Sequence, residues 1–124
     1  MNLLLDTHIL LWWHDDSERL QPPVRKLIAH ADVVHVSAAS AWELAIKQAL
    51  GRLKLSDSLA TLIERGGFDE LPISVAHTEQ VAALPHHHAD PFDRMLVAQA
   101  QLEGLTLVTH DRQLQPYQVT IAWT

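Results

Sequence analysis

Residues 90–111 read DPFDRMLVAQAQLEGLTLVTHD, and this stretch decides the fold. Asp90 suits a helix N-cap, Pro91 suits the first helical position, and Gly104 suits the stop. The run Leu105 to Thr109 follows at once, short and nearly continuous in apolar residues, as expected of a strand covered on both faces. Working outward, similar short runs occur at Asn2 to Leu5, Val33 to Ser37 and Val119 to Trp123, with a weaker one at Leu71 to Ser74. Between them, Pro22 and Pro23 can open a helix, a second helix runs from about Ala38 to Gly51, and a third from Ser56 to Gly66 and Gly67. A repeated strand, helix, strand order predicts an α/β fold with a mainly parallel sheet of about five short strands joined by right-handed crossovers.

The chain has 124 residues, 48% of them hydrophobic, which is enough for one real core and not two, so a single domain over 1–124 is expected. It contains no cysteine, which rules out a disulfide framework or a thiolate zinc site and fits a reducing, cytoplasmic setting. The opening MNLLLDTHILLWW lacks a basic leader and carries Asp6 and His8 within its short apolar run. It reads as a first strand and not as a signal peptide or membrane span. The formal net charge of −6 argues against sequence-blind, high-affinity binding to nucleic acid but leaves nucleic acid open as a substrate.

Four carboxylates, Asp6, Glu43, Asp93 and Asp111, fall where an expected strand has just ended or a helix has just begun. In an open α/β sheet those positions converge on the carboxyl edge of the strands, where such folds place their ligands. Asp93 occupies N3 of its helix, where it can complete a variant capping box. It also heads the stripe of Leu96, Val97 and Ala100 that packs on the sheet, where a bare carboxylate is costly without a partner. Glu43 lies on the stripe Ala39, Trp42, Ile46 and Leu50, with an exposed pair to Lys47 as the competing reading. Asp6 stands at the mouth of the first strand and Asp111 two residues beyond Thr109; each can equally cap the helix or turn that follows. Asp90 reads as a cap. Two carboxylates about 4 Å apart repel by roughly 4 kcal/mol at an effective dielectric near 20, so a shared pocket calls for a hard divalent cation, Mg²⁺ or Mn²⁺.

LLLDTHILLWW, VSAASAWELAIKQALGRLKL, LPHHHADPFDRMLVAQA and LTLVTHD together resemble the PIN-domain ribonucleases, and among them the VapC-like toxins of toxin–antitoxin pairs. The resemblance runs from the first strand to the last, with the segments in the family's order. It implies a three-layer α/β/α sandwich and metal-dependent cleavage of RNA. It assigns catalytic and metal-binding roles to Asp6, Glu43, Asp93 and Asp111, and places a small hydroxyl beside the first and last acids, here Thr7 and Thr109. It also implies a homodimer and a small antitoxin partner, and marks His88 as a family position that holds a phosphate or its own loop. A pair of cations at such a cluster can activate water and stabilise a leaving 3′ oxygen, giving 5′-phosphate and 3′-hydroxyl ends.

Lys47, Arg52, Arg94 and Arg112 are the basic residues near the site, each able to hold a phosphate or to sit on a solvated face. His86, His87 and His88 are consecutive and cannot all aim at one ion from regular structure, so a solvated loop is expected. His8 and His110 adjoin the acids, and a local hydrogen bond is the expected use of each ring. Trp12, Trp13 and Trp42 offer base stacking, although core or interface packing suits their apolar neighbours better. Two rival functions remain. A haloacid-dehalogenase-type phosphatase needs a second aspartate two residues after Asp6, where this chain has His8. A non-catalytic binding module with this fold is opposed by the four intact acids.

Overall fold

A computed structural model describes all of residues 1–124. The five strands are β1 (Asn2–Leu5), β2 (Val33–Ser37), β3 (Asp69–Leu71), β4 (Thr106–Thr109) and β5 (Ile121–Trp123). The helices are α1 (Thr7–His14), α2 (Pro22–His30), α3 (Ala38–Ala49), α4 (Leu59–Gly66), α5 (Val75–Ala83) and α6 (Pro91–Glu103), with a 3₁₀ turn at Arg112–Leu114. All neighbouring strands pair parallel, in the order β3-β2-β1-β4-β5. The chain leaves β1 toward β2 on one side and returns to β4 on the other. The order therefore reverses at β1, and the crevice beyond the ends of β1 and β4 is the expected ligand position.

Two apolar layers enclose this sheet. Leu3 and Leu5 point into a core with Ile9, Leu10, Val24, Ile28 and Leu44, from α1, α2 and α3. Leu4 points the other way, to Leu96, Val97 and Ala100 of α6 and to Leu107, Leu114 and Tyr117. Leu3, Leu4 and Leu5 are each completely buried, and each such side chain contributes about 1.5–3 kcal/mol on leaving water. This accounts for the continuous run before Asp6: a strand covered on both faces has no polar alternation. Helix α6 stops at Gly104, whose φ of +66° is a left-handed conformation suited to glycine, and the chain turns directly into β4.

Three details differ from the sequence expectation. The third strand lies at Asp69–Leu71 rather than Leu71–Ser74, because Pro72 cannot donate to a ladder and Ser74 instead caps α5. Helix α5 lies outside the elements that the sequence suggests; its one buried residue is a histidine, His77, so it presents no apolar stripe. Helix α3 buries Ala39, Ser40 and Leu44, and leaves Trp42, Ile46 and Leu50 exposed. Its inward face is thus turned from the stripe that the sequence suggests. No helix is long and apolar enough to cross a membrane.

Candidate active site

Each acid reaches the crevice by a different local device. Asp6 is the residue at which β1 becomes α1; its backbone N–H still donates to Val108 O (3.0 Å) in β4, and its carbonyl already accepts from Ile9 and Leu10 of the helix. Glu43 projects from the second turn of α3. Asp93 sits in the first turn of α6, held there because Asp90 Oδ1 accepts from the N–H groups of Phe92 (2.8 Å) and Asp93 (3.3 Å). Asp111 follows β4 and accepts from Gln113 N (3.0 Å) at the start of the 3₁₀ turn. The four converge, with Asp90, His8, Lys47, His110 and Arg112, on a cleft of about 320 Å³ that has no hydrophobic lining residue. A larger depression of about 490 Å³ lies between Gly104 and Thr120, away from all four acids, and its lining offers no ionisable group.

Asp6 is 2% exposed, and Thr109 Oγ1 donates to its Oδ2 at 2.6 Å. The same hydroxyl oxygen accepts from Asp111 N (3.1 Å), so Thr109 fixes the first and last acids relative to one another. Thr7 donates to Ser40 Oγ (3.0 Å), tying α1 to α3 beneath the cleft. Both threonines are buried and donate their hydroxyl protons within the chain, so the hydroxyls that the resemblance sets beside the acids act here as positioning groups and not as substrate contacts. His88 departs from the solvated loop expected of all three consecutive histidines. Its Nδ1 accepts from Asp90 N (3.3 Å), which leaves the proton on Nε2, shared between Asp111 Oδ2 (2.9 Å) and Asp93 Oδ2 (3.1 Å). Lys47 Nζ stands 3.8 Å from Glu43 Oε2, so the expected i,i+4 pair and the cleft position coexist.

Arg94 does not hold a phosphate at the cleft, contrary to the sequence expectation. It is buried, and its guanidinium donates to Pro85 O (2.8 Å), Val81 O (3.0 Å), Leu84 O (3.3 Å) and Tyr117 Oη (3.1 Å). Both terminal nitrogens of this group are spent on these acceptors and Arg94 does not line the cleft; it braces the loop before α6. Tyr117, which no local sequence signal marks, completes the brace by accepting from the N–H groups of His87 and His88 and donating to Pro85 O. His8 and His110 also differ from expectation, since their rings pack on one another and on Trp12 and make no hydrogen bond within the chain.

The charge balance is what sets the cleft apart. Burial pushes the Asp93 carboxyl up to about 7, and the nearby Asp6, Asp90 and Glu43 carboxylates push in the same direction, against a smaller opposing pull from His88. A carboxyl held that high among other acids is a group short of positive charge. The donor set is carboxylate-dominated, with Thr109 and His88 fixing its orientation from behind, and it fits a hard divalent cation.

The sequence matches the PIN domain family over residues 3–118, nearly its full length. The chain belongs to the PIN domain family. Among curated proteins it is 34% identical over 120 residues to Ribonuclease VapC22 of Mycobacterium tuberculosis, covering 93% of this chain and 91% of that one. Solved structures share its fold at much lower identity. VapBC2 from Rickettsia felis, bound to a DNA fragment from its promoter, superposes with a TM-score of 0.73 at 14% identity over 98% of both chains. A toxin–antitoxin complex from Klebsiella pneumoniae gives 0.69 at 20% identity, covering 97% of this chain and 95% of that one.

Proposed function

We propose that this PIN protein is a divalent-metal-dependent endoribonuclease and the toxin of a toxin–antitoxin pair. The observation that carries the reading is the convergence of Asp6, Glu43, Asp93 and Asp111 in a cleft without apolar lining at the switch point of the sheet. The likeness to Ribonuclease VapC22 supports RNA as the substrate. Asp6 and Asp93 would be the primary ligands for Mg²⁺ or Mn²⁺, with Glu43 and Asp111 completing the set. A cation held there would supply the charge that activates water and stabilises the leaving 3′ oxygen in an in-line displacement at phosphorus. Water adds to phosphorus as the P–O3′ bond breaks, leaving a 5′-phosphate and a 3′-hydroxyl. Thr109 keeps Asp6 aimed at the cleft, His88 holds Asp93 and Asp111 together, and Lys47 and Arg112 at the rim hold the phosphates beside the scissile one.

A protein partner is the second part of the reading. Exposed Trp42, Ile46 and Leu50, with the ring of Phe92 edge-on to Trp42 at 5.4 Å, form an apolar strip along one margin of the acid cleft. Such a strip suits a helix-in-groove contact with a small antitoxin or a second copy of the chain. The chain acts in the cytoplasm in this reading, as a single domain. Incubation of the purified protein with total RNA and Mg²⁺, followed by sequencing of 5′-phosphate ends, tests the activity. Discrete new ends are expected with the wild type and Mg²⁺, and none with chelator or with Asp6→Asn; ends that persist in both controls overturn the metal-acid mechanism.

A further inference from the structure

Beside the four acids, the same sheet edge carries a second donor group of different chemistry. Asp6, His8 and His110 offer ligand atoms that all lie within 4.8 Å of one another. The backbone dictates this meeting. Strands β1 and β4 are parallel neighbours with Leu5 opposite Val108, so the segments Asp6 to His8 and Thr109 to His110 leave the sheet side by side. The two imidazoles stand edge to face with centroids 5.4 Å apart, and Trp12 backs His110 at 4.7 Å, which limits where the rings can swing. The ring hydrogen bonds of the chain are made by His77 and His88, so the nitrogens of His8 and His110 stay free to bind. Asp6, by contrast, is fixed through Thr109 Oγ1.

Two imidazoles and one carboxylate make a donor set for borderline cations such as Zn²⁺ or Co²⁺, whereas oxygen-only donors suit Mg²⁺. Small rotations of two exposed rings bring the three atoms to the spacing that ligand bonds of about 2.0–2.2 Å require. We propose that Asp6, His8 and His110 form a second cation site that selects imidazole-binding divalent ions over Mg²⁺. The site shares Asp6 with the acid cleft, so an ion bound there alters the charge that Asp93 and its neighbours face. This inference stands independently of RNA cleavage, because the site is defined by binding.

The test is a titration of the full chain with Zn²⁺ in a fixed excess of Mg²⁺. Calorimetry reads the affinity, and long-range ¹H–¹⁵N spectra read the imidazole nitrogens. The ring signals of His8 and His110 should shift together, and Zn²⁺ affinity should fall at least about tenfold in His8→Ala and in His110→Ala, the lower bound of what even an outer-shell change costs. A His86→Ala/His87→Ala double variant should retain the site. Both tested rings are exposed, so these changes leave the core untouched. Unmoved His8 and His110 signals, unchanged affinity in either single variant, or an affinity loss that follows His86 and His87 instead overturns the proposal. RNA cleavage in Mg²⁺ alone reports on the acid cleft and separates failure of that reading from failure of this one.

Discussion

Asp93 and Arg94 are adjacent on one helix, about 100° apart around its axis, the first half-buried and the second buried, yet their surroundings are opposite in kind. Arg94 is a charged group whose partners are supplied in full by the chain: three backbone carbonyls and the Tyr117 hydroxyl. Asp93 faces other carboxylates, and its one opposing partner is a histidine that it shares with Asp111. A satisfied buried charge belongs to the architecture, because removing it leaves orphaned acceptors. An unsatisfied one marks a place where something outside the chain completes the balance. The comparison yields a sharp expectation: substitutions at Arg94 should cost folding, and substitutions at Asp93 should cost activity.

The largest effect should follow replacement of an acid proposed to hold the metal. Asp93→Asn or Asp6→Asn should lower the rate of RNA cleavage by at least about a hundredfold, beyond the roughly 10- to 100-fold typical of outer-shell changes. Thermal unfolding should show the Asp93→Asn chain to be as stable as the wild type or more so at neutral pH, since an ionised like charge is removed. Arg94→Met should do the reverse. Loss of its hydrogen bonds should destabilise the fold by about 3 kcal/mol or more in urea denaturation, with the Leu84 carbonyl left without a donor and those of Val81 and Pro85 each keeping one, from Leu84 N–H and the Tyr117 hydroxyl.

A pH series sharpens the contrast further. The Asp93 carboxyl titrates near 7 in the folded chain against 3.8 ordinarily, so the folded state holds its proton more tightly than the unfolded state does. Its contribution to the stability of the metal-free chain is therefore complete below about pH 4 and is lost as the pH rises through about 7. Denaturation midpoints measured across that window should fall less in Asp93→Asn than in the wild type. Smaller effects are expected around the pocket. Thr109→Val removes the donor that orients Asp6 and should weaken Mn²⁺ binding about tenfold, less than loss of a ligand itself. Lys47→Ala should leave stability within about 0.5 kcal/mol, as for an exposed pair, while raising the KM for RNA.

How much of this is legible in the sequence depends on whether the signal is local. The run Leu3 to Leu5 followed by Asp6, and the cap, proline and acid of Asp90, Pro91 and Asp93, are local signals, and each element lies where those residues suggest. The rotation of α3 is not local. Trp42, Ile46 and Leu50 form an apolar stripe as plausible as the true one, and the sheet instead takes the smaller residues Ala39 and Ser40 with Leu44. Arg94 misleads for the same reason, since its acceptors lie 9 to 13 residues upstream and in Tyr117, 23 residues downstream. The meeting of His8 with His110 depends on the pairing of β1 with β4, and the spacing of neither histidine announces it. The four acids were readable because the strand ends themselves were readable, and a parallel sheet gathers its strand ends on one edge.

The most direct test of the central claim is the binding of Mn²⁺ to the wild type and to Asp93→Asn, measured by calorimetry at several pH values. The account predicts a wild-type affinity that strengthens as the pH rises through about 7, where the ion displaces the Asp93 proton, and at least about tenfold weaker binding by the variant at neutral pH. Equal affinity in the two proteins, or no binding by the wild type, would contradict it.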